Sequence, residues 1–331
     1  MANIKDIAKK AGVSTATVSR VLNGHPYVSE RSRLAVEEAM RQLNYTPNSS
    51  AVHLKRGKTG VIAAIIKRID HPFMSGLMQG IGEVALRKGY QIMVCQTRVQ
   101  AQEELRFLHL LQTKQVDGIL LEDMQNDWEK VAPYASSGPL VLVNSYEKKA
   151  TVPMVYVNNY NGARQALLHL VKKGHRSIAV CLAKQKNAFC TVQWPRWQAY
   201  QDVLSEAGIE IDSRYIFENV STGNVLAGKE LFRTIREMSD KPTALFAGSD
   251  QVAAGFILEA RRHGIRIPED IAVVGFDDQP IAELMDITTV YQPIREMGEH
   301  ASEMLFRLIE GLPVDQSAVE MPHRLVVRST T

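Results

Sequence analysis

The sequence predicts two architectures in one chain: a small helical unit at the N-terminus, then a larger α/β core of two successive lobes of parallel sheet with helices on both faces. Three observations carry the prediction. Apolar residues recur at helical spacing through the first 47 residues, and each run stops at a Gly or a Pro. From Gly60 onward short β-branched runs alternate with amphipathic stretches, and the series runs through twice. The chain has 331 residues, more than one domain ordinarily holds, with the 45% apolar and 23% charged content of a globular protein.

In the first unit Ile4, Ile7, Ala8 and Ala11 mark one helical face, which Gly12 interrupts. Ser14 is a good N-cap for a second helix whose inward face is Val18, Val21 and Leu22, ended by Asn23-Gly24. Two short helices joined by a tight Gly-containing turn form a helix-turn-helix. Ser29 caps a third helix that buries Val36, Ala39, Met40 and Leu43 before Pro47. With those faces inward, Thr15, Ala16, Ser19 and Arg20 project outward from the second helix. Short side chains let a helix sink into a DNA major groove, where an arginine can donate twice to a guanine edge. Charge agrees with that reading. Residues 1–60 hold ten Lys/Arg against four acids, so a net +3 divides into +6 there and −3 in the rest.

The run Asn3 to Gly24, NIKDIAKKAGVSTATVSRVLNG, resembles the helix-turn-helix signature of the LacI/GalR family of bacterial repressors. The resemblance continues through Tyr45-Thr46-Pro47-Asn48 and, more loosely, to the last residues. It implies a helix-turn-helix DNA-binding domain at 1–47, a hinge helix and linker at 48–59, and an effector-binding and dimerisation core at 60–331. The core would be two-lobed and periplasmic-binding-protein-like: an N-lobe of about 60–158 plus 292–317, and a C-lobe of about 159–291 plus 318–331.

Residues 48–55 suit such a hinge. Asn48 can cap a run of about two turns ended by Gly57, too short to be stable alone, which should order only on a partner. The resemblance implies that the partner is DNA, with Leu54 wedged into the minor groove; Lys55 and Arg56 suit phosphate neutralisation beside it.

In the core, strands are expected at 61–66, 90–96, 118–121, 140–143 and 154–157, with helices at 74–88, 102–114 and 127–136 between them. The second series has helices at 160–173, 195–207, 224–237 and 250–263 and strands at 177–182, 215–217, 244–246 and 271–276. A crossover strand is expected at 288–292. Two such lobes make a cleft at the carboxyl ends of their strands.

No catalytic signature survives inspection: G-x-x-x-x-G-K-[ST], H-E-x-x-H and G-x-S-x-G are missing from the sequence. Asp277-Asp278 could be a carboxylate pair but has no acid/base partner in the sequence, so a structural or binding role is favoured. Three scattered cysteines without C-x-x-C fit a reducing cytosol and neither a disulfide framework nor a zinc site. Neither a secretory leader nor a membrane span is expected, and no cofactor or metal.

Binding residues are expected at strand ends and helix starts: Phe73, Asn144, Arg196, Asp250 and Gln292. Arg and Asp supply fixed donors and acceptors for vicinal hydroxyls, and an aromatic ring suits the apolar face of a sugar. By resemblance Arg196 and Asp250 match the family's main effector-binding positions. The expected partners are therefore pseudo-palindromic double-stranded operator DNA, a small effector of sugar type, and a second copy of the chain as homodimer. A phosphorylated carrier protein acting as corepressor is the alternative. The chain departs from many relatives at His71, where they carry Asn, and at Ala199, where they carry Gly; residues 184–193 follow no family pattern.

Overall fold

The computed structural model describes residues 2–22, 25–45, 57–181, 192–218 and 224–331. They divide into two compact units, 1–59 and 60–331.

In the first unit, α1 (Ile4–Ala11), α2 (Thr15–Leu22) and α3 (Glu30–Gln42) pack around Ile7, Ala8, Val18, Val36 and Ala39. Val21, Leu22, Met40 and Leu43 close the edges of that core. Each helix start is capped. Asn3 accepts from the Lys5 and Asp6 amides while Asp6 returns a carboxylate to the Asn3 N–H, a reciprocal box. The Ser14 hydroxyl accepts from the Thr17 amide at 3.1 Å, and Ser29 from the Ser32 amide at 3.3 Å. The turn after α1 needs Gly12, whose φ is +66°.

The second unit opens with β1 (Val61–Ile66), α4 (Pro72–Lys88), β2 (Gln91–Gln96), α5 (Ala101–Gln112), β3 (Gly118–Glu122), α6 (Trp128–Ala135), β4 (Leu140–Val143) and β5 (Met154–Val157). It continues with α7 (Asn159–Lys172), β6 (Ile178–Cys181), α8 (Gln193–Glu206), a 3₁₀ turn at Ser213–Tyr215, β7 (Ile216–Phe217), α9 (Val225–Glu237), β8 (Ala244–Phe246) and α10 (Asp250–Arg262). The remainder is β9 (Ala272–Val274), α11 (Pro280–Leu284), β10 (Thr289–Tyr291), α12 (Ile294–Ile309), β11 (Ala318–Met321) and β12 (Arg324–Val326).

These form two parallel sheets, in the orders β11-β5-β4-β3-β1-β2 and β7-β6-β8-β9, with an antiparallel pair β10-β12. Central strands such as β1 and β3 read as unbroken apolar runs because helices cover both faces, and they are buried along almost their whole length. The chain passes between lobes after β5, after β10 and after β11. One correction follows. Residues 318–331 do not belong wholly to the C-lobe, because β11 pairs with β5 and so extends the N-lobe sheet. Only the tail beyond it returns: β12 pairs with β10, and Thr330 exchanges hydrogen bonds with the Val273 backbone.

Each lobe has one helix pair brought close by glycines. A Cβ on Gly80 of α4 would run into the Arg295 carbonyl of α12, and one on Gly255 of α10 into the Val225 carbonyl of α9.

Candidate functional sites

On α2, Thr15, Ala16 and Arg20 are exposed and Ser19 is half-buried. The fold thus offers three of the four DNA contacts expected on α2 directly to solvent, around the fully buried Val18. Leu54 and Lys55 lie outside the described residues.

The core gathers polar side chains where parallel strands end. In the C-lobe Arg196, in the first turn of α8, is 4% exposed. Its Nε donates to Asn159 Oδ1 and its Nη1 to the Gly248 carbonyl, both at 2.9 Å. The guanidinium lies over the Phe276 ring, 3.6 Å from its centroid. Position 248 takes only a glycine: its φ is +71°, and a Cβ there would lie 2.7 Å from the Cys181 carbonyl oxygen.

Asp250 opens α10 with no exposure at all. It is not the cap of that helix: Ser249 is, accepting from the Val252 amide at 3.3 Å. Asp250 Oδ1 accepts from the Thr289 hydroxyl at 2.6 Å and Oδ2 from the Gln279 amide at 2.7 Å. Burial, and then the neighbouring Asp277 carboxylate, raise its pKa well above the usual range.

Asp277 ties the group together. It sits at φ +107°, just beyond β9, where the chain leaves the sheet two residues earlier than the run 271–276 suggests. Its Oδ1 accepts from Gln292 Nε2 at 2.7 Å and its Oδ2 from Gln279 Nε2 at 2.9 Å. Burial raises its pKa, and the charges of Arg196 and His71 pull it back. The adjacent Asp278 turns away to Arg328, 2.8 Å distant, so the two acids are not a working pair.

In the N-lobe Asn144 follows β4 at φ +54° and donates to Glu122 Oε1 at 3.2 Å. Glu122 ends β3 and is 5% exposed. Burial and then Asp123 push its pKa up to about 7, against Lys67 and the Asn144 amide. Lys67 bonds the Asp123 carboxylate. His71 caps α4, accepting from the Phe73 amide at 3.2 Å.

Of the five expected effector residues, Arg196, Asp250 and Gln292 therefore gather around Asp277. Asn144 joins a second cluster on Glu122. Phe73 is 4% exposed and packs in the N-lobe apolar core with Ile62, Ile66 and Leu77. Sequence reasoning missed Asn159, Phe276, Gln279, Thr289 and Glu122. Their only signal is position, each at or near the end of a strand or the start of a helix. Among the described residues no cluster of His, Cys, Asp and Glu could hold a metal, and no helix is long and apolar enough to cross a membrane.

A capped three-helix unit with a polar recognition face, followed by two parallel lobes whose strand ends carry buried donors and acceptors, defines a ligand-responsive DNA-binding regulator. The family is plain from comparison. Residues 3–48 match the model for bacterial regulatory proteins of the lacI family, and residues 167–331 that for a periplasmic binding protein-like domain. The NTD biosynthesis operon regulator NtdR of Bacillus subtilis (strain 168) is 36% identical over 334 residues, spanning 100% of both chains. The HTH-type transcriptional repressor CytR of Escherichia coli (strain K12) is 32% identical, covering 100% of this chain and 96% of its own. Among solved structures, a transcriptional regulator CelR–cellobiose complex is 29% identical, with a TM-score of 0.68 and full coverage of both chains. This chain belongs to the LacI family of transcriptional regulators, which are not enzymes.

Proposed function

We propose that this chain is an operator-binding repressor of the cytoplasm whose grip is set by a small polyhydroxylated effector, a sugar or sugar derivative, held between the lobes of its core. The observation that carries the reading is the buried set around Asp277: a guanidinium fixed by Asn159, Gly248 and Phe276 beside carboxylates and amides from three other segments. Such preset donors and acceptors suit vicinal hydroxyls. The cellobiose bound by the similar CelR regulator supports a sugar.

DNA is read by α2 in the major groove, with Thr15, Ala16, Ser19 and Arg20 facing it, and by the 48–55 segment with Leu54 and Lys55 in the minor groove. A homodimer places two copies on a pseudo-palindrome. Effector couples to DNA by linkage, and a coupling of about 1–3 kcal/mol changes operator affinity by roughly 5–150-fold.

The test uses the full chain, an operator selected from random duplexes, and mono- and disaccharides screened by thermal shift. A sugar that stabilises the core should change operator affinity in a gel-shift titration, and Asp250→Ala should bind operator normally but lose that response. A stabilising sugar that leaves affinity untouched refutes the reading. An affinity that responds only to a phosphorylated carrier protein moves control outside the cleft.

A further inference from the structure

Tyr27, in the loop between α2 and α3, is 88% exposed, more than any other large apolar or aromatic side chain among the described residues. The other tyrosine of the small unit, Tyr45, packs against its core, whereas Tyr27 takes no part in it. Among the described residues nothing bonds the Tyr27 hydroxyl. Yet the residue is held in place. His25 donates its backbone N–H to the Arg20 carbonyl at 3.0 Å, a bond of the kind that closes a helix C-terminus, and so ties the loop to the last turn of α2. Pro26 restricts the backbone between the two ring-bearing residues. The His25 and Tyr27 rings then meet with centroids 5.7 Å apart and planes tilted by 54°, within the range where such rings attract. A stray exposed ring is ordinary. One that the chain fastens beside its recognition helix, off its own core, is placed for a partner.

Position and charge name that partner. A recognition helix contacts base edges through its N-terminal residues, so the chain that follows its C-terminus leaves the groove floor for the DNA backbone. Tyr27 lies on that path, after α2 ends at Leu22 and before Ser29 caps α3. The surface there is positive. Arg20, Arg31 and Arg33 are exposed and form no ion pair among the described residues, and Glu30 is the one acid in the stretch 20–33. Such a surface meets phosphates. A phenol O–H can donate, an ionised phosphate oxygen accepts, and tyrosine is among the side chains that bond DNA phosphates.

We infer that the Tyr27 hydroxyl donates to a backbone phosphate of each operator half-site, its ring held against His25, so that the 25–27 loop sets the register of α2 in the groove without reading a base. This adds a contact to those proposed above for α2 and rests on the same DNA-binding reading. Two consequences separate it from other contacts. A phenol is neutral and releases no counterion, so its loss leaves the salt dependence of binding as it was, unlike the loss of a Lys or Arg. A phosphate carries no sequence information, so the loss is the same whatever bases lie beneath.

The experiment titrates the full chain and its Tyr27→Phe and Tyr27→Ala variants against an operator selected from random duplexes, by gel shift at several salt concentrations. Tyr27→Phe removes one oxygen from an exposed side chain, so the fold is untouched. It should weaken binding by about tenfold for each half-site engaged, the worth of a hydrogen bond to a charged group at about 1.4 kcal/mol per tenfold. The slope of log affinity against log salt should match the parent's, and the loss should be equal on operators carrying single base changes. A methylphosphonate placed at one phosphate at a time should then reveal a position whose neutralisation weakens the parent and leaves Tyr27→Phe unaffected. Parent-like affinity of Tyr27→Phe, a loss confined to particular base pairs, or equal sensitivity of parent and variant to every methylphosphonate overturns the inference. Weakening in Tyr27→Ala without weakening in Tyr27→Phe assigns the contact to the ring and overturns it as well. Those outcomes leave operator binding itself standing, whereas a parent that selects no duplex sinks both.

Discussion

Replacing Glu122 by Gln should make the unliganded protein more stable, and by an amount that depends on pH. The side chain ends β3, is 5% exposed, and has its pKa raised from an ordinary 4.5 to about 7 by burial and then by Asp123. A rise of that size corresponds to about 3 kcal/mol. The sign follows from proton counts. Below 4.5 both folded and unfolded chains hold the proton, and the carboxyl exacts no charge penalty. Between 4.5 and 7 the folded protein holds a proton that the unfolded chain has released, so stability falls as pH rises. Above 7 the folded carboxylate is ionised and the full penalty is present. Gln keeps the acceptor for Asn144, leaves Lys67 and Asp123 in place, and does not titrate. Urea unfolding at several pH values, followed by tryptophan fluorescence, measures the difference. All three tryptophans (Trp128, Trp194 and Trp197) lie in the core unit, so the signal reports that unit alone. The gap between variant and parent should be near zero at about pH 4.5 and approach ~3 kcal/mol at about pH 8. A gap that does not change with pH would refute the assignment of a buried carboxylate that resists ionising to this position.

Arg196→Met should destabilise the core by about 3 kcal/mol, because Asp277 then stays buried without its cation; adding Asp277→Asn should restore part of the loss in a double-mutant cycle. Gly255→Ala drives a methyl into the Val225 carbonyl and should cost about 1–3 kcal/mol or more, read as a lowered midpoint in the same urea titration. Leu54→Ala, in the segment beyond the described residues, should weaken operator binding by about tenfold or more in a gel shift while leaving the core's unfolding unchanged. Asn3→Ala removes the reciprocal cap of α1 and should cost about 1 kcal/mol in the small unit, seen by helical circular dichroism of the isolated 1–59 unit.

Legibility in the sequence followed the range of the interactions. The three N-terminal helices were readable because periodicity and caps are local: Ser14 and Ser29 act within three residues of themselves. The Asn3 cap was equally local, and Asp6 three positions on was its signal. In the core, strands buried on both faces announced themselves as apolar runs. β11 did not, since its four residues mix exposed and buried positions and its place is decided by pairing with β5, more than 160 residues away in the chain. The site divides the same way. Arg196 and Asp250 came from resemblance, but what immobilises Arg196 lies 37 and 52 residues off, at Asn159 and Gly248. Glu122 carried no signal, because a glutamate ending a strand ordinarily faces water; only the packing of neighbouring strand ends buries it. For Asp277-Asp278 a structural or binding role was legible, but not that backbone geometry sends one inward and the other to Arg328.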